Sequence, residues 1–199
     1  MDFTLVKDLN SLLAHHDALE DPLVAYANAS EALFLGLLIA AFVLVGGRRG
    51  TGTRRAVVAA GLGAGVALAL AAVLARVVDR PRPFVAHPGD VHLFAAHAAD
   101  AGFPSDHATA SFAIAVALLL RSRAWGVAAL VAATLLSVAR VAMGIHYPSD
   151  VLAGAALGAL VALAFHHPRV RALTDALADR VGALRVWDRS GPRAAYGSR

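Results

Sequence analysis

AVVAAGLGAGVALALAAVLARVV, residues 56–78, carries one charged side chain, Arg76, and is flanked at its start by Arg54-Arg55. A helix of about 20 mainly apolar residues crosses the roughly 30 Å hydrocarbon core of a bilayer, so this stretch reads as a membrane span. Working outward, four more apolar stretches approach that length: about Glu31–Val45, His107–Leu120, Trp125–Met143 and Asp150–Phe165. The first of these stops at Gly46-Gly47-Arg48-Arg49-Gly50. With 58% apolar and only 16% charged residues in 199, the chain is too apolar for an ordinary soluble domain. The expectation is an all-α integral membrane bundle of about five transmembrane helices.

Amphipathic segments stand at both ends. Residues 2–14 place Phe3, Val6, Leu9, Leu12 and Leu13 at helical spacing, with Asp2 available as an N-cap, and read as an interfacial helix. Residues 168–187 repeat Val170, Leu173, Leu177, Val181 and Leu184 on one face with arginines opposite, which reads as a basic surface helix followed by a flexible Gly/Ser/Arg tail. Residues 1–167 then form one membrane domain and 168–199 a basic appendage.

The pI near 10.3 reflects arginines placed by topology. If five spans alternate, Arg48, Arg49, Arg54 and Arg55, then Arg121 and Arg123, then Arg169, Arg171, Arg180 and Arg185 all fall on one side, the cytoplasmic one. The chain is expected in the plasma or inner membrane with its C-terminus cytoplasmic. No aromatic-interleaved basic patch points to nucleic acid. The absence of cysteine excludes disulfides and thiolate chemistry. Met1-Asp2-Phe3-Thr4 lacks a basic n-region, so no cleaved signal peptide is expected.

The opposite side holds the chemistry. Arg80-Pro81-Arg82-Pro83-Phe84 follows the second span and Phe103-Pro104-Ser105-Asp106-His107 opens the third. Arg140 closes the fourth span, and His146-Tyr147-Pro148-Ser149-Asp150 opens the fifth. In an up-and-down bundle these four ends converge. Charged groups at membrane depth cost about 2.5–3.5 kcal/mol each and mark functional sites by default. Guanidinium forks match phosphate oxygens, and phosphoryl transfer needs mainly positioning and charge neutralisation, which arginines can supply. Two histidines on opposite sides of one phosphorus give a route through a phosphohistidine.

These segments resemble the signature of the type-2 phosphatidic acid phosphatase (PAP2) superfamily, K-x6-R-P, P-S-G-H and S-R-x5-H-x3-D. Arg82-Pro83 matches the first motif, Pro104-Ser105 with His107 the second, and Arg140, His146 and Asp150 the third. The loop His97-Ala98-Ala99-Asp100 and the N-terminal amphipathic helix are most similar to the bacitracin-resistance type of undecaprenyl-diphosphatase. The resemblance implies a metal-independent phosphatase without cofactor, acting on a lipid phosphate or diphosphate in the outer leaflet. It also implies roles: His146 attacks phosphorus and is oriented by Asp150, His107 is the acid and base, and Arg82, Arg140 and Ser105 hold phosphoryl oxygens. Ala75 stands where the first motif has lysine, so Arg76 or Arg80 is expected to supply that contact. Ala139 replaces the motif serine, and Asp106 replaces its glycine, which favours the diphosphatase subgroup. Asp106, His97 and Asp100 are expected to face substrate.

Simpler readings exist for several of these residues. Ser105 is a good N-cap in any helix, Asp150 could favour a helix dipole, and Arg76 could snorkel to the interface. His92, His97 and Asp100 do not have the spacing of a tight metal set. Gly154 and Gly158 fit close helix packing. Phosphatidate or phosphatidylglycerophosphate is the alternative substrate, and a lipid-phosphate binder or transporter the alternative from another class.

Overall fold

The computed structural model describes residues 1–45 and 51–183, and these form eight helices. They are α1 (Asp2–Ala14), α2 (Asp17–Val45), α3 (Thr51–Val78), α4 (Pro83–Ala86), α5 (Asp106–Leu119), α6 (Arg123–Ala142), α7 (Pro148–His166) and α8 (Pro168–Ala183). The Gly46–Gly50 stop, Arg48, Arg49, Leu184, Arg185 and the tail lie outside the described residues. Helices α2, α3, α6 and α7 are each long and apolar enough to cross a membrane.

The third expected span, α5, is shorter: 14 residues make about 21 Å of helix. It is the centre of the bundle, packed against α3, α6 and α7. Its partners are small. Helix α3 turns Ala56, Ala59, Ala60, Gly63, Ala64, Ala67 and Ala71 inward at intervals of three and four, which lets backbones approach closely. A Cβ on Gly154 of α7 would come within 2.5 Å of the Ser105 carbonyl oxygen, and one on Gly158 within 2.3 Å of that of Thr109. The glycines therefore set the distance between α5 and α7.

Two boundaries differ from the sequence reading. Helix α2 begins at Asp17, well before Glu31. Of the polar residues that obscured its first half, Ser30 is buried, its Oγ donating to the Ala27 carbonyl at 2.7 Å, while Asp17, Asp21 and Asn28 lie on the exposed face of a helix that continues through them. Helix α1 is not simply laid on lipid. Val6, Asn10 and Leu13 are buried, with Val6 packed among Ala108, Val141, Tyr147 and Val151. At the other end of the bundle α8 is held by an Arg121–Asp175 ion pair and by Arg55 to Asp179 at 2.7 and 3.1 Å.

Candidate active site

The segment between α3 and α5 folds over the bundle end and is tied down by α1. Asn10 Nδ2 donates to the carbonyls of His92 and Ala142, both at 2.9 Å, and its Oδ1 accepts from His92 N at 2.8 Å. Phe3 stacks on the His87 ring at 3.6 Å. The α6–α7 turn passes through Gly144 at φ +73°, where a Cβ would also strike Val91. That turn delivers Ile145 and His146 beneath the loop.

His146 is 1% exposed. Its Nδ1 lies 2.9 Å from the Gly102 carbonyl oxygen. A carbonyl can only accept, so Nδ1 carries the proton and Nε2 keeps its lone pair. Nε2 meets Arg82 Nη1 at 3.1 Å, and the same Nη1 donates to the Ile145 carbonyl at 3.1 Å. Burial, reinforced by Arg82 and Arg140, pushes the His146 imidazole well below its ordinary range, so it stays neutral. The carbonyl of Gly102 is a partner that no side-chain motif could reveal. A Cβ there would sit 3.1 Å from Arg82 Cγ, so glycine lets the strand of loop pass close enough to reach the imidazole.

Asp150 does not take the place expected for it. Its Oδ2 is 3.9 Å from His146 Nδ1, beyond a hydrogen bond. The fully buried carboxylate instead accepts from Tyr147 N at 2.8 Å, capping α7, and from Arg80 Nη1 at 2.8 Å. Arg80 is likewise turned from the expected phosphate contact. It donates to Ser149 Oγ at 2.6 Å and Asp2 Oδ2 at 2.8 Å, with its guanidinium 3.9 Å above the Tyr147 ring. Two carboxylates and an aromatic face hold it outside the cavity. Asp2, expected as an N-cap, is instead the first residue of α1, whose N-cap is Met1 with no side-chain cap hydrogen bond, and its carboxylate accepts from Ser149 N and Oγ. Arg76 is exposed at the end of α3, away from the site. Ser105 caps α5 from a fully buried position on the α7 side, receiving Ala108 N at 3.5 Å and donating its own N–H to the Asp150 carbonyl at 3.0 Å.

The remaining expected residues meet around one cavity of about 390 Å³. Arg82, His97, Asp106, His107, Arg140 and His146 line its polar end, joined by Asp100. Arg82 Nε donates to Asp100 Oδ1 at 2.9 Å, and Arg140 Nη2 meets His97 Nε2 at 3.0 Å. Against the desolvation of its partial burial, Arg82 holds the Asp100 carboxyl below the usual range. Burial, with Arg82 and Arg140 alongside, lowers His97, so its Nε2 is free to accept from Arg140. Arg140 Nε is buried without a partner. Phe34, Leu68, Ile114 and Leu136 line the other end, and Glu31 of α2, which the sequence reading passed over, stands on the wall. Among the described residues no three acidic or histidine side chains converge as a metal site. The arrangement places two guanidiniums and three imidazoles around a hollow that continues into an apolar slot.

Fold and site together define a multi-pass membrane protein with arginines and histidines gathered around one cavity at an end of its bundle. The model of the PAP2 superfamily matches residues 56–172, and the chain belongs to that superfamily, as a membrane lipid phosphatase of the PAP2 type. It is 33% identical over 165 residues to the undecaprenyl-diphosphatase BcrC of Bacillus subtilis, covering 83% of this chain and 82% of that protein. It is 41% identical over 109 residues to decaprenylphosphoryl-5-phosphoribose phosphatase of Mycobacterium tuberculosis, 54% of this chain and 58% of that one. The crystal structure of Aquifex aeolicus LpxE superposes with a TM-score of 0.63 at 24% identity, covering 82% of this chain and 93% of that one.

Proposed function

We propose that this protein hydrolyses undecaprenyl diphosphate to undecaprenyl phosphate on the extracytoplasmic face, through a phosphohistidine and without a metal. The observation that carries this reading is a single cavity with Arg82, Arg140, His107 and His146 at one end and an apolar slot at the other, the shape of a lipid phosphate. The relative of known extent, a diphosphatase similar over most of both chains, favours the prenyl diphosphate among possible lipids.

In the first half-reaction His146 Nε2 attacks the terminal phosphorus. The N–P bond forms as the P–O bond to the lipid phosphate breaks, and His107 gives its proton to the leaving oxygen. In the second, His107 takes a proton from water, whose oxygen attacks phosphorus and releases inorganic phosphate and His146. Arg82 and Arg140 neutralise the equatorial oxygens, the role metal ions fill elsewhere. Arg82 already points Nη1 at the nucleophile, so an entering phosphate exchanges one partner of that guanidinium for another. Asp150 acts on His146 indirectly, by fixing Tyr147 and the start of α7. Residues 1–167 form the catalytic unit and α8 a basic surface helix on the cytoplasmic side, where Arg54, Arg55, Arg121 and Arg123 also gather.

The test is phosphate release by purified protein in EDTA from undecaprenyl diphosphate, phosphatidate and phosphatidylglycerophosphate, alongside His146→Ala. Release from the diphosphate that persists in EDTA and vanishes in the variant is expected. A strict Mg²⁺ requirement, or an active His146→Ala protein, would refute the mechanism. A faster reaction with either glycerolipid would reassign the substrate.

A further inference from the structure

Glu31 lies 14 residues beyond Asp17 in α2, about 21 Å along the helix, and from Ala32 to Val43 no other charge follows. Its side chain is 85% exposed, at the mouth of the cavity rather than packed in the bundle. An ionised carboxylate on a membrane-spanning helix is unfavourable without a partner and marks function by default. Of the carboxylates on the cavity wall, Asp100 is engaged by Arg82, whereas Glu31 Oε1 stands 3.6 Å from His107 Nε2. His107 shares that wall with the guanidiniums of Arg82 and Arg140 and with His97 and Asp106. A proton on His107 adds a further positive charge beside two existing ones, and Glu31 is the carboxylate that stands beside Nε2.

We propose that Glu31 is a positioning residue for the phosphatase reaction, acting through His107 by supplying the counter-charge that keeps a proton on its Nε2. The inference rests on the phosphatase reading above and deepens it. At 3.6 Å the carboxylate is too far for a closed hydrogen bond, so Nε2–H remains available to the leaving oxygen. The proton His107 gives in the first half-reaction is the one it regains from water in the second, and Glu31 stays ionised throughout. Its position on α2 also ties chemistry to the seating of that helix beside the apolar slot.

The test is a double-mutant cycle in the full-length protein, with labelled undecaprenyl diphosphate and with thermal unfolding recorded for each variant. Glu31→Gln lowers kcat about tenfold or more with KM within about twofold, since acid–base assistance is worth about 10²–10⁴ in rate. In a His107→Ala background the same change costs less than about twofold, because the group it serves is gone. Glu31→Asp, which keeps the charge, recovers most of kcat. Equal losses in both backgrounds, a loss confined to KM, or an unaffected Glu31→Gln protein would overturn the inference while leaving the phosphatase reading intact. A wild-type protein that releases no phosphate from any lipid would instead remove that reading, and this inference with it.

Discussion

Gly154→Ala tests whether the spacing of α5 and α7 governs catalysis. The new Cβ would meet the Ser105 carbonyl oxygen at 2.5 Å, Thr109 Oγ1 at 2.9 Å and Ala108 Cβ at 3.2 Å. The first of these atoms is backbone and cannot rotate away. Ordinary contact begins at 3.4 Å, so the helices must part by about 0.9 Å along that line. Overpacking of this kind costs about 1–3 kcal/mol of stability. The displacement falls on the first turn of α5, one residue pair before His107, and on the helix that follows His146. A misplacement of about 1 Å between reacting groups can cost about 10²-fold in rate. The expected result is kcat lowered about 30- to 100-fold, with a lower unfolding midpoint, measured by phosphate release and thermal unfolding in detergent. Gly65→Ala is the control, because nothing lies within 4 Å of the added atom. Its kcat should match wild type. Gly154→Ala activity within about twofold of wild type would refute the argument that these glycines set the geometry of the two histidines.

Asn10→Ala removes three hydrogen bonds that pin the loop to α1 and α6, and should cost about 2–3 kcal/mol in stability and reduce kcat; an unchanged unfolding midpoint would contradict the assigned role. Because protonation would silence His146 and burial depresses its proton affinity well below the ordinary 6.5, the acidic limb of kcat/KM should lie below pH 6.5, and a limb at or above 6.5 would count against His146 as nucleophile. Arg121→Met leaves Asp175 only the longer pairing with Arg171 at 3.6 Å and should lower stability by about 1–3 kcal/mol, read as a lower unfolding midpoint, with kcat within about twofold; a large kcat loss would show that this end is coupled to the site.

The spans were legible in the sequence wherever apolar residues ran unbroken, as in residues 56–78. They were less legible in the first half of α2, where Asp17, Asp21 and Asn28 interrupt the apolar run on the outer face of the helix. The family was legible because Arg140, His146 and Asp150 keep their spacing across the end of α6, one turn and the start of α7, a local constraint. Partner choice was not. Arg80 and Arg82 are two residues apart, yet one is held by Asp2 and Asp150 and the other lines the cavity, a division made by groups from three distant elements.

The chain alone thus determined a helical membrane protein, its family and the residue types gathered at one end, because hydropathy and motif spacing are written in neighbouring residues. Only the tertiary structure decided that a backbone carbonyl at Gly102 orients His146, that Asp150 caps its own helix, and that Glu31 faces His107. Those contacts join residues 44 positions apart or more, or turn on which of several nearby donors a carboxylate meets first, and packing settles both.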